Sequence, residues 1–431
     1  MKRVYMMLFF SLWLPFLHGA STYQGEALFV HLLSLYVPVS SSVLKQLNKL
    51  VSPFKETKIV VHKSAKKLPI FKEFPGLVSK IAYEPVCSLP SPVKKLSVLG
   101  DYVHINELAM KDDGALGLGG TKNRKFGFLF GQALHHGAKS IVTLGSAGSN
   151  LAAAAAACCQ KLGLKSISLL KPQPNSRTVR RNLLLMDYYG SQLQYCPNIE
   201  VRGMGATYTF FRQKEDYGDF PYIIPPGGSC PIGVIGIINA VLELQEQIKQ
   251  GHISEPDRIY VAASTLGTVA GLLLGTKIAK LPSRIIGISV MPEMKAEGIE
   301  KLIMQLCNET AAMLHGLDPQ FPLVKIQQDE IHMLYDFRGT EYGLFTPQGV
   351  EMIKMLKEKE GVVLDGTYTG KAFAGMLEDV KKNNCQKQNI LFWNTFYGDD
   401  CSTLISENSY KKLPKALHSY FETNVQELDR G

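Results

Sequence analysis

Two glycine-rich turns flank a helix and a strand in one short stretch of this chain, and that stretch constrains the fold most. The first turn, GLGG, begins at Gly117, and an amphipathic run from Phe126 to His136 predicts a helix that Gly137 ends. Ile141–Leu144 predicts a buried strand. The second turn, residues 145–150, leads into a leucine and six consecutive alanines. We therefore expect a strand whose carboxyl end turns directly into a helix.

The same alternation of strands and helices continues towards the C-terminus. Further strands are predicted at Lys165–Leu170, Arg258–Ala263, Arg284–Val290, Val362–Leu364 and Asn389–Thr395. Helices are predicted at Asn150–Leu162, Ser176–Tyr189, Ile232–Ile248, Ile299–His315, Pro347–Glu358 and Lys371–Lys381. Strands that alternate with helices are typical of an α/β fold with parallel sheets.

Composition narrows the class of protein further. With 45% hydrophobic and 20% charged residues, the 431-residue chain is globular and long enough for two or three domains. The net charge is +9, but the basic residues are scattered, which favours a solvated basic surface over nucleic-acid binding. Arg177, Arg180 and Arg181 lie on one predicted helix, where they could meet an anion, but a solvated helix face is favoured.

The N-terminus has the pattern of a signal peptide. Lys2 and Arg3 precede an apolar run from Val4 to Leu17, and small residues follow before Ser21. We expect residues 1–20 to be removed and the protein to be exported, periplasmic or secreted, with no stable membrane span after processing. An uncleaved anchor and a mis-assigned start, which would leave the protein cytoplasmic, are the alternatives. Residues 21–68 carry no chemical motif and are predicted to form an N-terminal extension.

The eight cysteines give no sign of a metal site. No CxxC pair and no zinc-like Cys/His spacing occurs, so no metal ligands are predicted. Buried free thiols are favoured over disulfides for most of them.

The two glycine turns and a third small-residue turn point to a bound anion and a reactive lysine. Lys122 follows the first turn, and a lysine held in a pocket can form a Schiff base with a carbonyl. The turn Ser264–Thr268 joins a predicted strand to a helix, where backbone N–H groups can hold a phosphate. This pattern suits a phosphorylated carbonyl cofactor. An ordinary strand–helix turn is the alternative, and the GxxxxGK[ST] spacing of a nucleotide loop is missing.

Several motifs together extend this interpretation to a family. GGTKNRK and TLGSAGSN, followed by YIIPPGGSCPIG, ASTLGTVAGL, EYGLFTPQG and DGTYTGKAFAGM, resemble the pyridoxal 5'-phosphate (PLP) enzymes of the D-cysteine desulfhydrase and 1-aminocyclopropane-1-carboxylate deaminase group. The resemblance runs from about Pro69 to Ser402. It implies the two-domain, tryptophan synthase β-like PLP fold, known as fold type II, with parallel-sheet sandwiches and the site between the domains. Residues 69–125 and 236–431 would form the large PLP-binding domain, and residues 126–235 the small inserted domain.

The resemblance also implies roles for particular residues. Lys122 matches the lysine that forms the Schiff base, and Lys125 the position that helps to neutralise the phosphate. Asn150 matches the residue that bonds the ring hydroxyl, and Thr369 the position that faces the pyridine nitrogen. The phosphate cradle would consist of Ser264, Thr265, Leu266, Gly267 and Thr268.

Three further residues would take part in catalysis. Ser149 matches a hydroxyl close to the substrate's α-carbon, while Tyr342 and Tyr368 match two active-site tyrosines. Ser149 and Asn150 could instead be helix caps, and the tyrosines core aromatics. Two departures from the family pattern stand out: Gly148 replaces a glutamine, and Phe396-Tyr397 replaces a pair of glycines after the last strand.

The implied function is a PLP-dependent lyase acting on a small amino-acid substrate. Threonine at position 369 favours D-cysteine desulfhydrase-like β-elimination. A hydroxyl supports a weaker electron sink than a carboxylate does, and elimination of a thiolate tolerates the weaker sink better than opening of a cyclopropane ring does. The alternatives are the cyclopropane deaminase, another D-amino-acid lyase or racemase, and a non-catalytic exported protein that binds an amino acid. A homodimer is left open as the assembly.

Overall fold

The computed structural model describes residues 63–217 and 221–430. The predicted signal peptide, residues 1–20, lies outside the described residues, as do residues 21–62 of the predicted extension. Of that extension the structure describes residues 63–68, in which Ala65–Lys67 forms one turn of 3-10 helix. Export therefore stays a prediction.

Two sheets, nearly all parallel, form the framework of the described chain. The strands are β1 (Val93–Lys95), β2 (Glu107–Asp112), β3 (Ser140–Ser146), β4 (Lys165–Lys171), β5 (Gln192–Tyr195), β6 (Tyr222–Ile224), β7 (Arg258–Ala263), β8 (Arg284–Ser289), β9 (His332–Leu334) and β10 (Asn389–Asn394). One sheet has the order β1-β2-β10-β7-β8-β9 and the other β5-β4-β3-β6. Neighbouring strands are parallel throughout, except that β1 is antiparallel to β2. The predicted α/β architecture is confirmed.

The smaller sheet is inserted in sequence between the strands of the larger one. Its four strands all lie within the predicted small domain, residues 126–235, whereas the larger sheet takes strands from before and after that segment. The predicted boundary between residues 125 and 126 falls inside the helix Lys122–His135. The exact domain bounds stay a prediction.

Helices cover the sheets, and capping residues explain several of their ends. They are α1 (Pro69–Glu73), α2 (Ser97–Tyr102), α3 (Lys122–His135), α4 (Asn150–Leu162), α5 (Arg177–Tyr188), α6 (Ile199–Tyr217), α7 (Pro231–Lys249), α8 (Gly267–Ile278), α9 (Ala296–Leu317), α10 (Pro347–Glu360), α11 (Thr369–Lys382) and α12 (Ser419–Glu422). The Ser149 hydroxyl accepts the N–H of Ala152 at 3.1 Å and caps α4. Gly163 ends the same helix in the left-handed conformation, with φ of 67°.

Two segments differ from the sequence prediction. Val362–Leu364 is wrong as a strand: Val362 and Leu364 are buried and alternate with an exposed Val363, but no strand among residues 63–217 and 221–430 pairs with them. The edge of the larger sheet is taken by β9, which pairs with β8. The helix predicted from Phe126 begins four residues earlier, so that Lys122 is its first residue rather than part of the glycine turn.

All eight cysteines are free thiols, and seven of them are buried, as predicted; Cys87 is half-buried.

Within residues 63–217 and 221–430, no helix combines the length and apolar character needed to cross a bilayer.

A buried ion network ties α3 to the larger sheet. The Arg124 guanidinium donates from Nε to Asp113 Oδ1 at 2.8 Å and from Nη2 to Glu243 Oε1 at 2.9 Å. Lys111 bonds the same Glu243 carboxylate, and Trp393 Nε1 donates to Asp113 Oδ2 at 2.9 Å. These four charged side chains are almost fully excluded from solvent, and their charges cancel. The start of α3 is thereby fixed against β2, α7 and β10.

Replacing Arg124 with methionine should strongly destabilise the protein. The change leaves two carboxylates facing one buried ammonium, and removing one partner of a buried ion pair costs about 3–5 kcal/mol. Urea unfolding followed by circular dichroism measures the loss. Lys72→Met is the matched control, since Lys72 and Glu246 form a pair at 3.0 Å with side chains 53% and 42% exposed. Breaking that pair should cost at most about 1 kcal/mol. Equal losses in the two variants would contradict a special role for the buried network.

Candidate active site

A cavity of about 480 Å³ opens where the carboxyl ends of strands from both sheets face each other. Parallel sheets commonly bind ligands at this edge. Nine of the predicted site residues line it: Lys122, Ser149, Asn150, Ser264, Thr265, Leu266, Thr268, Tyr342 and Tyr368. Residues that lie far apart in sequence are therefore gathered around one space.

Lys122 reaches this cavity from the first turn of α3. The preceding glycine turn packs tightly on the end of the last strand, since a Cβ atom on Gly120 would lie 2.4 Å from the Thr395 carbonyl oxygen. Burial lowers the pKa of Lys122 to about 8, although the negative charges of Asp365 and Asp113 oppose the shift. About a tenth of this amine is therefore neutral and nucleophilic at pH 7, far more than for a solvated lysine.

Lys125 lies one turn further along the same helix, behind the cavity wall. Its side chain is buried, and Nζ donates to the Gly227 carbonyl at 3.0 Å. Burial and the nearby charge of Lys122 lower its pKa to about 7. A Cβ atom on Gly267 would lie 3.0 Å from this Nζ, so the amine sits directly beneath the start of α8.

The turn Ser264–Thr268 forms a polar pocket at the N-terminus of α8. Leu266 has a φ of +69°, an unusual conformation for a non-glycine residue, and it directs the chain into the helix. Ser229 supports the turn: its Oγ donates to Thr265 Oγ1 at 2.9 Å and accepts the Gly267 N–H at 3.2 Å. Helix-start amides, hydroxyls and a buried cation together suit a phosphate.

Ser229 is a site residue that the sequence analysis missed. It follows the Pro-Pro-Gly-Gly turn, which the sequence marks only as rigid, and it lines the cavity beside the turn Ser264–Thr268.

The Asn150 amide is oriented by a buried asparagine, Asn182. Asn182 donates from Nδ2 to Asn150 Oδ1 and to the Gly148 carbonyl, both at 2.8 Å, and Arg181 Nε donates to Asn182 Oδ1 at 3.2 Å. Asn150 lines the cavity, and with its Oδ1 engaged by Asn182 its Nδ2 group is available there as a donor. Asn182 is fully buried in α5 and was also missed, since the contact spans 32 residues.

The glycine at position 148 makes room for a glutamine from another segment. Its N–H donates to Gln173 Oε1 at 3.0 Å, and a Cβ atom on Gly148 would lie 2.9 Å from Gln173 Nε2. An amide side chain is therefore still present beside the Ser149-Asn150 turn.

Two phenols stand together on another wall. The hydroxyl groups of Tyr342 and Tyr368 are hydrogen-bonded to each other, and their rings meet edge to face with centroids 6.2 Å apart. Burial raises the pKa of Tyr342 to about 12 and the pKa of Tyr368 well above its ordinary value. Both phenols therefore keep their protons and can donate them.

The structure does not bring the Thr369 hydroxyl into the cavity. Thr369 is fully buried, and its Oγ1 donates to Asp365 Oδ1 at 2.7 Å and accepts the Asp365 N–H at 2.8 Å. The side chain folds back because it closes the turn that starts α11. Asp365 lines the cavity instead, and its carboxylate also accepts the N–H groups of Thr367, Tyr368 and Thr369.

The aromatic pair after the last strand lines the cavity. Thr395, Phe396 and Tyr397 all border it, and the Arg181 guanidinium lies over the Phe396 ring, 5.3 Å from its centroid. Arg181 itself lines the cavity, so the solvated face predicted for it is wrong.

Comparisons with known proteins agree with this geometry. A family model described as pyridoxal-phosphate dependent enzyme matches residues 88–395. A putative 1-aminocyclopropane-1-carboxylate deaminase of Pyrococcus abyssi is 32% identical over 307 residues, which cover 71% of this chain and 88% of the relative. A D-cysteine desulfhydrase of Salmonella newport is 31% identical over 318 residues, covering 71% and 91%.

A solved structure extends the agreement to three dimensions. It is described as a homologue of the cyclopropane deaminase and has a TM-score of 0.64 and 28% identity, covering 82% of this chain and 98% of that one. The fold is therefore fold type II of the PLP enzymes, and PLP is the cofactor. This chain belongs to the pyridoxal-phosphate dependent enzymes, as a lyase of the 1-aminocyclopropane-1-carboxylate deaminase and D-cysteine desulfhydrase type.

Proposed function

We propose that the protein catalyses β-elimination from a small amino acid, with D-cysteine as the favoured substrate, which together with water gives sulfide, pyruvate and ammonia. The family establishes a PLP-dependent lyase of one of two types. The observation that carries the choice between them is the environment of position 369. That residue offers no carboxylate to the cavity, and the nearby Asp365 carboxylate already accepts four hydrogen bonds from its own turn.

The residues of the cavity fit PLP. Lys122 would attach the cofactor's aldehyde, and Asn150 Nδ2 would donate to the oxygen on its ring. When bound, PLP supplies an electron-poor ring that accommodates negative charge from the substrate's α-carbon. Lys125 and the pocket formed by Ser264, Thr265, Leu266, Gly267 and Thr268 would hold the phosphate.

The same residues can manage the protons of an elimination. Lys122 is a buried amine with a lowered pKa, and when free it could take the α-proton of a bound substrate. Ser149 borders the cavity next to Asn150 and would hold the substrate's carboxylate. The phenols of Tyr342 and Tyr368 would protonate the leaving group.

The leaving group explains why D-cysteine is favoured. A pyridine ring without a strong carboxylate partner stabilises a carbanion less than a protonated ring does. A thiolate leaves readily and tolerates this weaker stabilisation, whereas opening a cyclopropane ring does not. Thr369 supplies no carboxylate, and the Asp365 carboxylate that lines the cavity is engaged by its own turn, so this wall supports elimination of sulfide.

Product assays separate the two activities. With PLP-loaded protein, kcat/KM for pyruvate formation from D-cysteine should exceed kcat/KM for 2-oxobutanoate formation from 1-aminocyclopropane-1-carboxylate by at least about tenfold, or 1.4 kcal/mol. Lys122→Ala is the control for uncatalysed breakdown and should form neither product. Faster 2-oxobutanoate formation would replace the desulfhydrase with the deaminase, and no product from either substrate would reject the proposed reaction.

The phosphate pocket can be tested independently of turnover. Gly267→Ala should weaken PLP binding, because the new Cβ atom would lie 2.5 Å from Ser229 Oγ and 3.0 Å from Lys125 Nζ. We expect at least about a tenfold rise in Kd, measured by absorbance titration of the apoprotein. Gly298→Ala in α9 is the matched control, since a Cβ atom there meets open space. Unchanged PLP affinity in Gly267→Ala would place the phosphate elsewhere.

A further inference from the structure

One wall of the cavity carries two cations that neither the cofactor nor the proposed elimination uses. Lys171 is the last residue of β4, and Arg202 lies on the first turn of α6; both line the cavity. Lys171 Nζ lies over the Tyr342 ring, 5.6 Å from its centroid. Arg202 is only 8% exposed, and its Nη1 donates to the Gly145 carbonyl at 3.2 Å. The pair therefore borders the region between Ser149 and Tyr342, where the substrate would lie.

The two cations lie close enough to repel each other. Burial lowers the pKa of Lys171, and the charge of Arg202 lowers it further, while Glu293 and Glu341 act in the opposite direction. Glu293 is held by the Tyr342 N–H at 3.1 Å. In the described part of the chain, the ion pairs within 4.0 Å all involve residues other than Lys171 and Arg202. A buried arginine beside a half-buried lysine, with no carboxylate of the described chain in contact with either, is unfavourable until an anion joins them.

The other cations in or directly behind the cavity wall already have partners or proposed roles. Lys122 and Lys125 serve the cofactor under the proposed function, and Arg181 stacks on Phe396 and bonds Asn182. A simple neutral amino acid such as D-cysteine brings one carboxylate, which Ser149 can hold. Lys171 and Arg202 are therefore in excess for such a substrate.

We propose that the physiological substrate is a small amino acid whose side chain ends in a second anionic group, and that Lys171 and Arg202 bind this group. The inference rests on the proposed function, in which an amino acid occupies this cavity, and it deepens that function by naming the substrate class. A carboxylate, a sulfonate and a phosphate share the chemistry that an arginine and a lysine recognise. Under this proposal D-cysteine is accepted by the reaction centre but leaves the cation pair empty.

Ligand titrations of the PLP-loaded protein test the proposal. The probes are both enantiomers of aspartate, cysteate and O-phosphoserine, compared with both enantiomers of serine and alanine, and the visible band of the bound cofactor reports binding. At least one acidic amino acid should bind about tenfold or more tightly than its neutral counterparts, and the difference should shrink as salt is added. The three acids distinguish a carboxylate, a sulfonate and a phosphate as the preferred group.

Variants assign that preference to the pair. Lys171→Gln and Arg202→Gln should each lower the affinity for the acidic probe about tenfold, with the affinity for serine and the PLP content unchanged. Lys171→Arg should retain the preference. Lys161→Gln, at an exposed position on α4, is the control for an equal change in net charge. If Arg202→Gln fails to fold, the comparison of Lys171→Gln with Lys171→Arg still shows whether the acidic preference depends on the charge at position 171.

Three results would overturn the inference. If neutral probes bind as tightly as acidic ones, the substrate needs no second anion and the inference fails. Turnover of D-cysteine alongside that result would leave the proposed function standing. An acidic preference that survives Lys171→Gln would move the anion away from this pair. If PLP binds but no amino acid changes its band, the proposed function and this inference fail together.

Discussion

The buried pairing of Arg124 with Asp113 and Glu243 is the interaction on which the site depends. Arg124 lies between Lys122 and Lys125 in the first turn of α3, and its guanidinium is fully excluded from solvent. Residues three apart share one face of a helix, so anchoring Arg124 to the larger sheet presents both lysines to the opposite side. The close approach of α3 to α7, where a Cβ atom on Gly236 would lie 2.1 Å from the Arg124 carbonyl oxygen, leaves the helix little freedom to rotate. The direction of both amines is therefore set by the core.

This arrangement gives two neighbouring lysines different chemistry. Both amines are desolvated, and the charge of Lys122 lowers the pKa of Lys125 further, to about 7. A phosphate beside Lys125 would restore its positive charge, since an opposite charge favours the ionised form. Lys122, with a pKa of about 8, loses its proton as the pH rises through that value and becomes nucleophilic. Lys125 is thus suited to binding an anion, and Lys122 to attacking a carbonyl.

The sequence predicted the parts of this structure that local patterns control. The strand β3, the cap Ser149 and the helix α4 follow from apolar periodicity and small-residue turns within one stretch. The Thr369 hydroxyl could not be placed in the same way, because spacing does not tell whether a side chain faces a cavity or closes its own turn. Asn182 and Ser229 escaped notice for a related reason. Their partners lie 32 and 36 residues away, and only the folded chain brings them together.

Charged residues were the hardest to interpret from sequence alone. The sequence predicts Arg181 to be a solvated helix residue, yet it borders the cavity and stacks on Phe396. Arg180, one residue earlier, bonds the carbonyl of Tyr420 at 2.8 Å and belongs to a contact with the C-terminal segment. Adjacent residues on a helix point about 100° apart, so two similar side chains serve different surfaces. Only the tertiary structure shows that Arg180 and Arg181 face different surfaces.

Mapping the lysine that carries PLP tests the central claim most directly. Borohydride reduction of the PLP-loaded protein fixes the cofactor to its lysine, and mass spectrometry of the peptides locates it. The account predicts that the modified residue is Lys122. Lys371 is the sharpest rival, since it is fully buried and its pKa is also lowered to about 8. Its Nζ donates to the Arg338 carbonyl at 2.7 Å, and Lys371 does not line the cavity. A cofactor fixed to Lys371 or to Lys125 would contradict the account.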